Sequence, residues 1–260
     1  TVHVIAPYDS ASQKLVELGC SFHDVHINRR GINPFNDFRL IYDYFKIIKT
    51  LRISHICTFN IKPNLYVSYA CFFLKTKQII NIFGLCSAFI SKNFLTQIAK
   101  FLYRIALFQK SKIVFFQNQA DLKLFSESKI FSGNIANVLP GSGIDLSFYK
   151  KNNKHLLTKN EITKFVFIGR LISDKGVFEL LEAAREITSR NEFVEFYLYG
   201  EFDLNNPSAI NEELIKKYCS KSIQLMGKID DIKEALTIAH CVILPSYREG
   251  MSRSLLEASA

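Results

Sequence analysis

Short apolar runs alternate with longer stretches of helical periodicity along the whole chain. Strand-like runs fall at 2–6, 22–27, 54–59, 78–83, 113–117 and 137–139, then at 164–168, 194–199, 222–225 and 241–244. Between them, apolar residues recur every three or four positions at 12–18, 38–51, 64–74, 89–108 and 120–126, and again at 177–188, 212–218 and 232–239. That spacing predicts helices with one apolar face. Strands separated by helices imply βαβ crossovers, hence an α/β protein with mainly parallel sheets. From 143 to 160 the pattern lapses into a polar stretch that reads as a linker or surface excursion. It divides the chain into domains at 1–150 and 151–260. A length of 260 residues is enough for two such cores. Open α/β sheets bind ligands at the carboxyl ends of their strands, so the cleft between two facing domains is the expected site.

Both ends of the sequence look cut. It begins inside a strand, Thr1-Val-His-Val-Ile-Ala-Pro7, and stops at Ala260 inside a predicted helix. We therefore expect a fragment in which both domains are truncated.

Charge changes the picture more through its distribution than its total. The net charge is +9. Residues 1–150 hold 18 Lys/Arg against 8 Asp/Glu, whereas 151–260 hold 15 against 16. Between Asp43 and Asp121 there is no acidic residue, while Lys62, Lys92, Lys100, Arg104 and Lys112 are among the cations there. Such a stretch is either a solvated basic surface or an attraction for a polyanion. The same region is rich in Phe, Leu, Ile and Tyr, and its cations interrupt the apolar positions of 89–108 at helical spacing. An amphipathic basic helix of that composition lies on an anionic membrane. A core helix with a basic outer edge is the alternative. No uncharged apolar run reaches the ~18 residues of a spanning helix, and no nucleic-acid recognition motif is present.

Six cysteines, at 20, 57, 71, 86, 219 and 241, sit mostly in apolar elements without close pairing. They read as buried free thiols of a reducing compartment. His3, His23 and His26 come nearest to a cluster, but their spacing is not that of a metal site, and none is expected.

The candidate chemistry lies at predicted strand ends. The run Phe165-Val-Phe-Ile-Gly-Arg-Leu-Ile-Ser-Asp-Lys-Gly176 closes a strand on Gly169 and places Arg170 and Lys175 before a helix. Two cations at such a turn suit a diphosphate. A second strand ends in Leu198-Tyr-Gly-Glu201, where Gly200 lets a ligand approach the backbone. A third runs through Met226-Gly-Lys-Ile229 to Asp230, the expected cap of the next helix. The fourth leads into Ser246-Tyr-Arg-Glu-Gly-Met-Ser-Arg-Ser-Leu-Leu-Glu257. Glu249 falls in its turn, Ser252 is a good N-cap, and Glu257 follows on the helix. A helix N-terminus preceded by glycine favours an anion.

Taken in order, Phe167-Ile-Gly-Arg-Leu171, Asp174-Lys-Gly176, Leu244-Pro-Ser-Tyr-Arg-Glu-Gly250 and Arg253-Ser-Leu-Leu-Glu-Ala258 resemble the family-4 retaining glycosyltransferases of the GT-B fold. In the first half, Lys62-Pro-Asn64, Phe115-Phe-Gln-Asn118 and Leu139-Pro-Gly-Ser-Gly-Ile-Asp145 are similar to the same group. The likeness is strongest to bacterial members that add an N-acetylhexosamine or hexose to an undecaprenyl-diphosphate-linked sugar. It implies that Gly169, Arg170 and Lys175 meet the donor's diphosphate and that Gly200 borders it. Lys228 and Ile229 would lie against the base. Glu249, the one residue assigned a near-catalytic place, would bind the donor sugar's hydroxyls. Gly250, Met251 and Ser252 would offer amides, and Glu257 would hold the ribose. The acceptor and membrane side is assigned to Lys62, Asn64, Asn81, Gly84, Lys92, Lys100 and Arg104. No metal or other cofactor is implied, because the two cations and the helix dipole replace one. The expected partners are a UDP-sugar, a polyprenyl-diphosphate-linked glycan and an anionic membrane, with no nucleic acid. The expected location is cytoplasmic, peripheral on the inner face of the cytoplasmic membrane.

The sequence departs from the family pattern in three places. Ser252 stands where most relatives have proline. No histidine occurs in Asn81-Ile-Phe-Gly-Leu-Cys86, where many carry one against the donor sugar. The glycine-rich first loop is absent. A non-catalytic sugar-nucleotide-binding paralogue, or an inactive fragment, is therefore the alternative to a transferase. A Rossmann dehydrogenase would need an early Gly-x-Gly-x-x-Gly turn, which is not here.

Overall fold

The computed structural model describes residues 1–28, 33–84, 94–108, 112–131, 136–149 and 161–260. Lys92, Cys86 and the polar stretch at 150–160 lie outside them. The chain divides into two compact units, the first extending to Leu139 except for Gly84, which groups with Pro140–Ala260 in the second.

In the first unit, β1 (His3–Ala6), α1 (Ser12–Glu17) and β2 (Ser21–Asp24) precede a long helix, α2 (Pro34–Thr50). Then come β3 (His55–Phe59), α3 (Ile61–Ala70), β4 (Lys77–Ile82), α4 (Phe94–Ala106), β5 (Lys112–Phe116), α5 (Gln119–Glu127) and β6 (Ala136–Val138). Strands β1 and β2 pair in parallel, and β3-β4-β5-β6 form a second parallel sheet in sequence order. Helix α2 starts where the Asn33 side chain accepts from the Phe35 amide, with Pro34 in the first turn, where its missing N–H costs nothing. It buries Leu40, Tyr44 and Ile48, four apart, against Val67, Ala70 and Cys71 of the next helix region. Burial pushes the Tyr44 hydroxyl up to about 12.

The second unit contains β7 (Thr163–Ile168), α6 (Val177–Arg190), β8 (Val194–Tyr199), α7 (Glu212–Lys216), β9 (Ile223–Gly227), α8 (Ile232–Ile238), β10 (Cys241–Val242) and α9 (Arg253–Ser259). Its parallel sheet runs β10-β7-β8-β9. Central strand β7 is apolar on both sides because both faces are covered. Phe167 packs with Leu181, Phe196 and Leu198 on one side, and Val166 and Ile168 with Ala235 and Ala239 on the other.

Several expectations are corrected. By internal contacts, residues 140–149 group with the second unit. The Lys233 ammonium lies 3.2 Å from the centre of the Phe148 ring, an attractive cation–π contact, and ties 140–149 to that unit. The cap of α8 is Asp231, whose side chain accepts from the Lys233 amide, not Asp230. Of the described cysteines only Cys71 is buried; Cys57, Cys219 and Cys241 are exposed. Lys112, one of the cations counted toward a basic surface, is buried. Its ammonium donates to the carbonyls of Ser68 and Ala106, and burial pulls its pKa down to about 8.

Candidate donor site at the carboxyl ends of β7 and β10

The order β10-β7-β8-β9 contains a topological switch point. From β7 the chain builds outward through β8 and β9, then returns to place β10 on the other side of β7. The connections after β7 and β10 consequently diverge and leave a crevice at their carboxyl ends. The segments that follow these two strands are those with Arg170 and Lys175, and with Glu249 and Glu257.

Glycine shapes the floor of this crevice. Gly200 follows β8, and a Cβ there would collide with the carbonyl oxygen of Gly169, directly after β7. Gly176 has φ +67° and would drive a Cβ into the carbonyl of Pro245, just beyond β10. Only glycine combines that left-handed backbone with so close an approach. A single 3-10 turn, Ser173–Lys175, connects Arg170 to this glycine and sets Lys175 at the start of α6.

The charged side chains are partly exposed and paired among themselves. Lys175 forms an ion pair with Glu249. Arg170 reaches Asp203 at 2.9 Å, and Asp203 also accepts from Asn206 at 3.2 Å. The Tyr247 hydroxyl donates to Glu179, holding that carboxyl below its ordinary range, and the Tyr247 amide bonds to the Asp174 carbonyl. The loop after β10 is thereby fastened to the turn after β7.

Ser252 caps α9 as expected, its hydroxyl accepting from the Leu255 amide at 3.4 Å. Glu257 is only 4% exposed. One of its oxygens accepts from Arg253 at 3.2 Å, while Oε2 is buried without a hydrogen-bond partner. The Ser246 hydroxyl, beside Pro245, is likewise buried and unpartnered. Each such group costs about 1–3 kcal/mol unless something supplies the missing bond. Burial raises the Tyr149 hydroxyl first, and the nearby Glu257 carboxylate raises it further.

Other anticipated residues fall differently. Lys228 makes a loose, exposed pair with Glu201 at 3.9 Å. The Ile229 side chain, partly buried, packs on the core formed by Val166, Ile168 and Tyr199. In the first unit, Lys62 pairs with Asp37 at 2.9 Å. Asn64 is buried and donates to the Asn81 carbonyl, while Asn81 donates to that of Thr58. Gly84 follows β4 with φ +69°. Lys100 lies on α4. Arg104, also on α4, donates to the carbonyls of Ser128 and Lys129 and so satisfies the end of α5. His3 and His23 share one hydrogen bond at 3.0 Å. Among the described residues no three His, Cys, Asp or Glu side chains form a group able to hold a metal.

The motif-based reading missed Asp203, Ser246 and Tyr149. Ser246 lay within a quoted motif, but nothing in a sequence marks a hydroxyl as unpartnered.

A parallel sheet with cations, carboxylates and glycines at its switch point is an arrangement that suits a phosphorylated ligand. Residues 162–260 match the family described as Glycosyl transferases group 1, and residues 1–118 the family described as Glycosyl transferase 4-like. The chain belongs to these glycosyltransferases and has the GT-B fold. It is 29% identical over 273 aligned positions to N,N'-diacetylbacillosaminyl-diphospho-undecaprenol alpha-1,3-N-acetylgalactosaminyltransferase of Campylobacter jejuni, covering 100% of this chain and 70% of that protein. It is 31% identical to the teichuronic acid biosynthesis glycosyltransferase TuaC of Bacillus subtilis over 53% of this chain, but spans only 34% of that protein. Among solved structures, a glycosyltransferase from Rickettsia africae superposes with a TM-score of 0.73 at 18% identity, over 98% of this chain and 68% of its own. HepE from Anabaena, in complex with UDP and glucose, superposes at 0.70 and 16% identity, over 98% and 70%.

Proposed function

We propose that the chain is the larger part of a retaining glycosyltransferase that moves an N-acetylhexosamine or hexose from a UDP-sugar to a polyprenyl-diphosphate-linked saccharide. Such a reaction belongs to cell-surface glycan synthesis. The observation that carries this reading is the buried carboxylate of Glu257, on the helix that follows β10, with one oxygen lacking a hydrogen-bond partner. A carboxylate there accepts a hydroxyl of the donor, which we assign to the ribose. The names of the Campylobacter and Bacillus relatives and the UDP complex of HepE support the same reading.

In this account Arg170 and Lys175 exchange their present partners for diphosphate oxygens. Glu249, released from Lys175, takes the sugar hydroxyls. The amides of Gly250, Met251 and Ser252 face the sugar and phosphate, and the backbone at Lys228 and Ile229 borders the base. The acceptor hydroxyl attacks the anomeric carbon as its bond to the diphosphate oxygen breaks, and the hydroxyl proton passes to the leaving diphosphate on the same face. Negative charge grows on that diphosphate, and the two cations stabilise it without a metal. The lipid-diphosphate-linked substrate in the name of the Campylobacter relative supports peripheral work at the cytoplasmic membrane face; no helix among the described residues is long and apolar enough to cross a membrane.

The test is a donor screen of the full-length protein with a short-chain polyprenyl-diphosphate sugar, read by mass spectrometry. Glu249→Ala is expected to lower transfer by at least ~10²-fold. Wild-type turnover by that variant contradicts the assignment. UDP-sugar binding without transfer by the wild type points instead to a non-catalytic binder.

A further inference from the structure

We infer that the outer face of α4 is the surface by which this protein docks on an anionic lipid bilayer. The inference deepens the membrane-side reading above by naming the residues that make the contact. Phe94, Ile98, Phe101, Ile105 and Phe108 follow one another at intervals of four, three, four and three. At about 100° per residue the first four form a single narrow stripe on α4, and Phe108 follows two residues past the helix end. Their exposures are 78%, 38%, 57%, 42% and 81%.

The opposite side of the same helix is already spent. Thr96, Tyr103, Ala106 and Leu107 are buried, and the Tyr69 hydroxyl donates to the Leu102 carbonyl to hold α4 against α3. A helix on a water-facing surface carries polar residues outside. This one is apolar on both sides, so its outer face calls for an apolar medium or a partner.

Charge decides between the two. Lys100 and Arg104 lie along one flank of the stripe, and α4 carries no acidic residue. A second copy docked through the same stripe would set these like charges against each other. A bilayer with anionic headgroups takes the aromatic rings into its acyl boundary and meets the cations at its surface.

The chain contains no tryptophan, so Phe101→Trp provides a single fluorescent reporter in the stripe. Its emission is expected to shift to the blue with vesicles of mixed phosphatidylglycerol and phosphatidylcholine, and far less with phosphatidylcholine alone. Phe101→Ser combined with Phe108→Ser is expected to lower vesicle co-sedimentation by at least about tenfold, with an unchanged circular dichroism spectrum. The inference is overturned by an unshifted reporter or by equal sedimentation of the double variant. A vesicle-blind dimer that the double variant dissociates also overturns it, in favour of a second copy. UDP titrated into the same protein without vesicles reports separately on the donor site. Failure there strikes the transferase reading and leaves the vesicle result standing.

Discussion

The two units use their charged and polar residues in opposite ways. In the second unit, Arg170, Lys175 and Glu249 stand at strand ends, partly exposed, and pair with each other or with Asp203. These contacts can be exchanged for a ligand's. In the first unit, Lys62, Asn64 and Lys112 are committed to internal partners, a carboxylate for Lys62 and backbone carbonyls for the other two, whereas Arg104 bonds its two carbonyls from an exposed position. The apolar stripe of α4, by contrast, is exposed. A cation in sequence is therefore evidence of a binding surface only once its own partners are known.

The contrast can be broken at its structural base first. Gly200→Ala would force the β8 and β7 ends apart. We expect a loss of more than ~2 kcal/mol in the second unit, seen as an early denaturant transition by hydrogen exchange confined to 161–260. Uniform destabilisation of both units would show that the crossing is not local.

A smaller effect isolates the first unit. Lys112 has a folded pKa near 8 against an unfolded value of 10.5. The unfolded chain thus holds more protons above pH 8, so stability rises with pH through that value. From pH 7 to 9 the gain should be on the order of 1 kcal/mol, and Lys112→Met should remove the slope. Above pH 9 the sign reverses for Cys71. Its thiol is pushed up to about 11 by burial, so the unfolded state loses that proton first. A flat urea midpoint from pH 7 to 9 in the wild type would mean that Lys112 is not held as described.

The legible parts of this molecule were those with local causes. The strand–helix alternation follows from periodicity, and the correct caps at Ser252 and the turns at Gly169 and Gly200 are short-range events. The motif order after β7 and β10 then put Arg170, Lys175, Glu249 and Glu257 beyond two neighbouring strands at one sheet end. Illegible were properties set by distant neighbours. Lys112 looks like any surface lysine until the carbonyl of Ser68, 44 residues away, receives it. Asp203 gains meaning only because Arg170 points at it across a strand pair. Asp230 and Asp231 are equivalent in sequence, and the helix geometry selected the second.

The central claim is that Glu257 awaits a hydroxyl of a uridine nucleotide. Calorimetric titration of UDP into the wild type and Glu257→Ala tests it most directly. The account predicts binding by the wild type and a loss of affinity of about 10- to 100-fold in the variant, with folding intact. Equal affinity in the two proteins would contradict it.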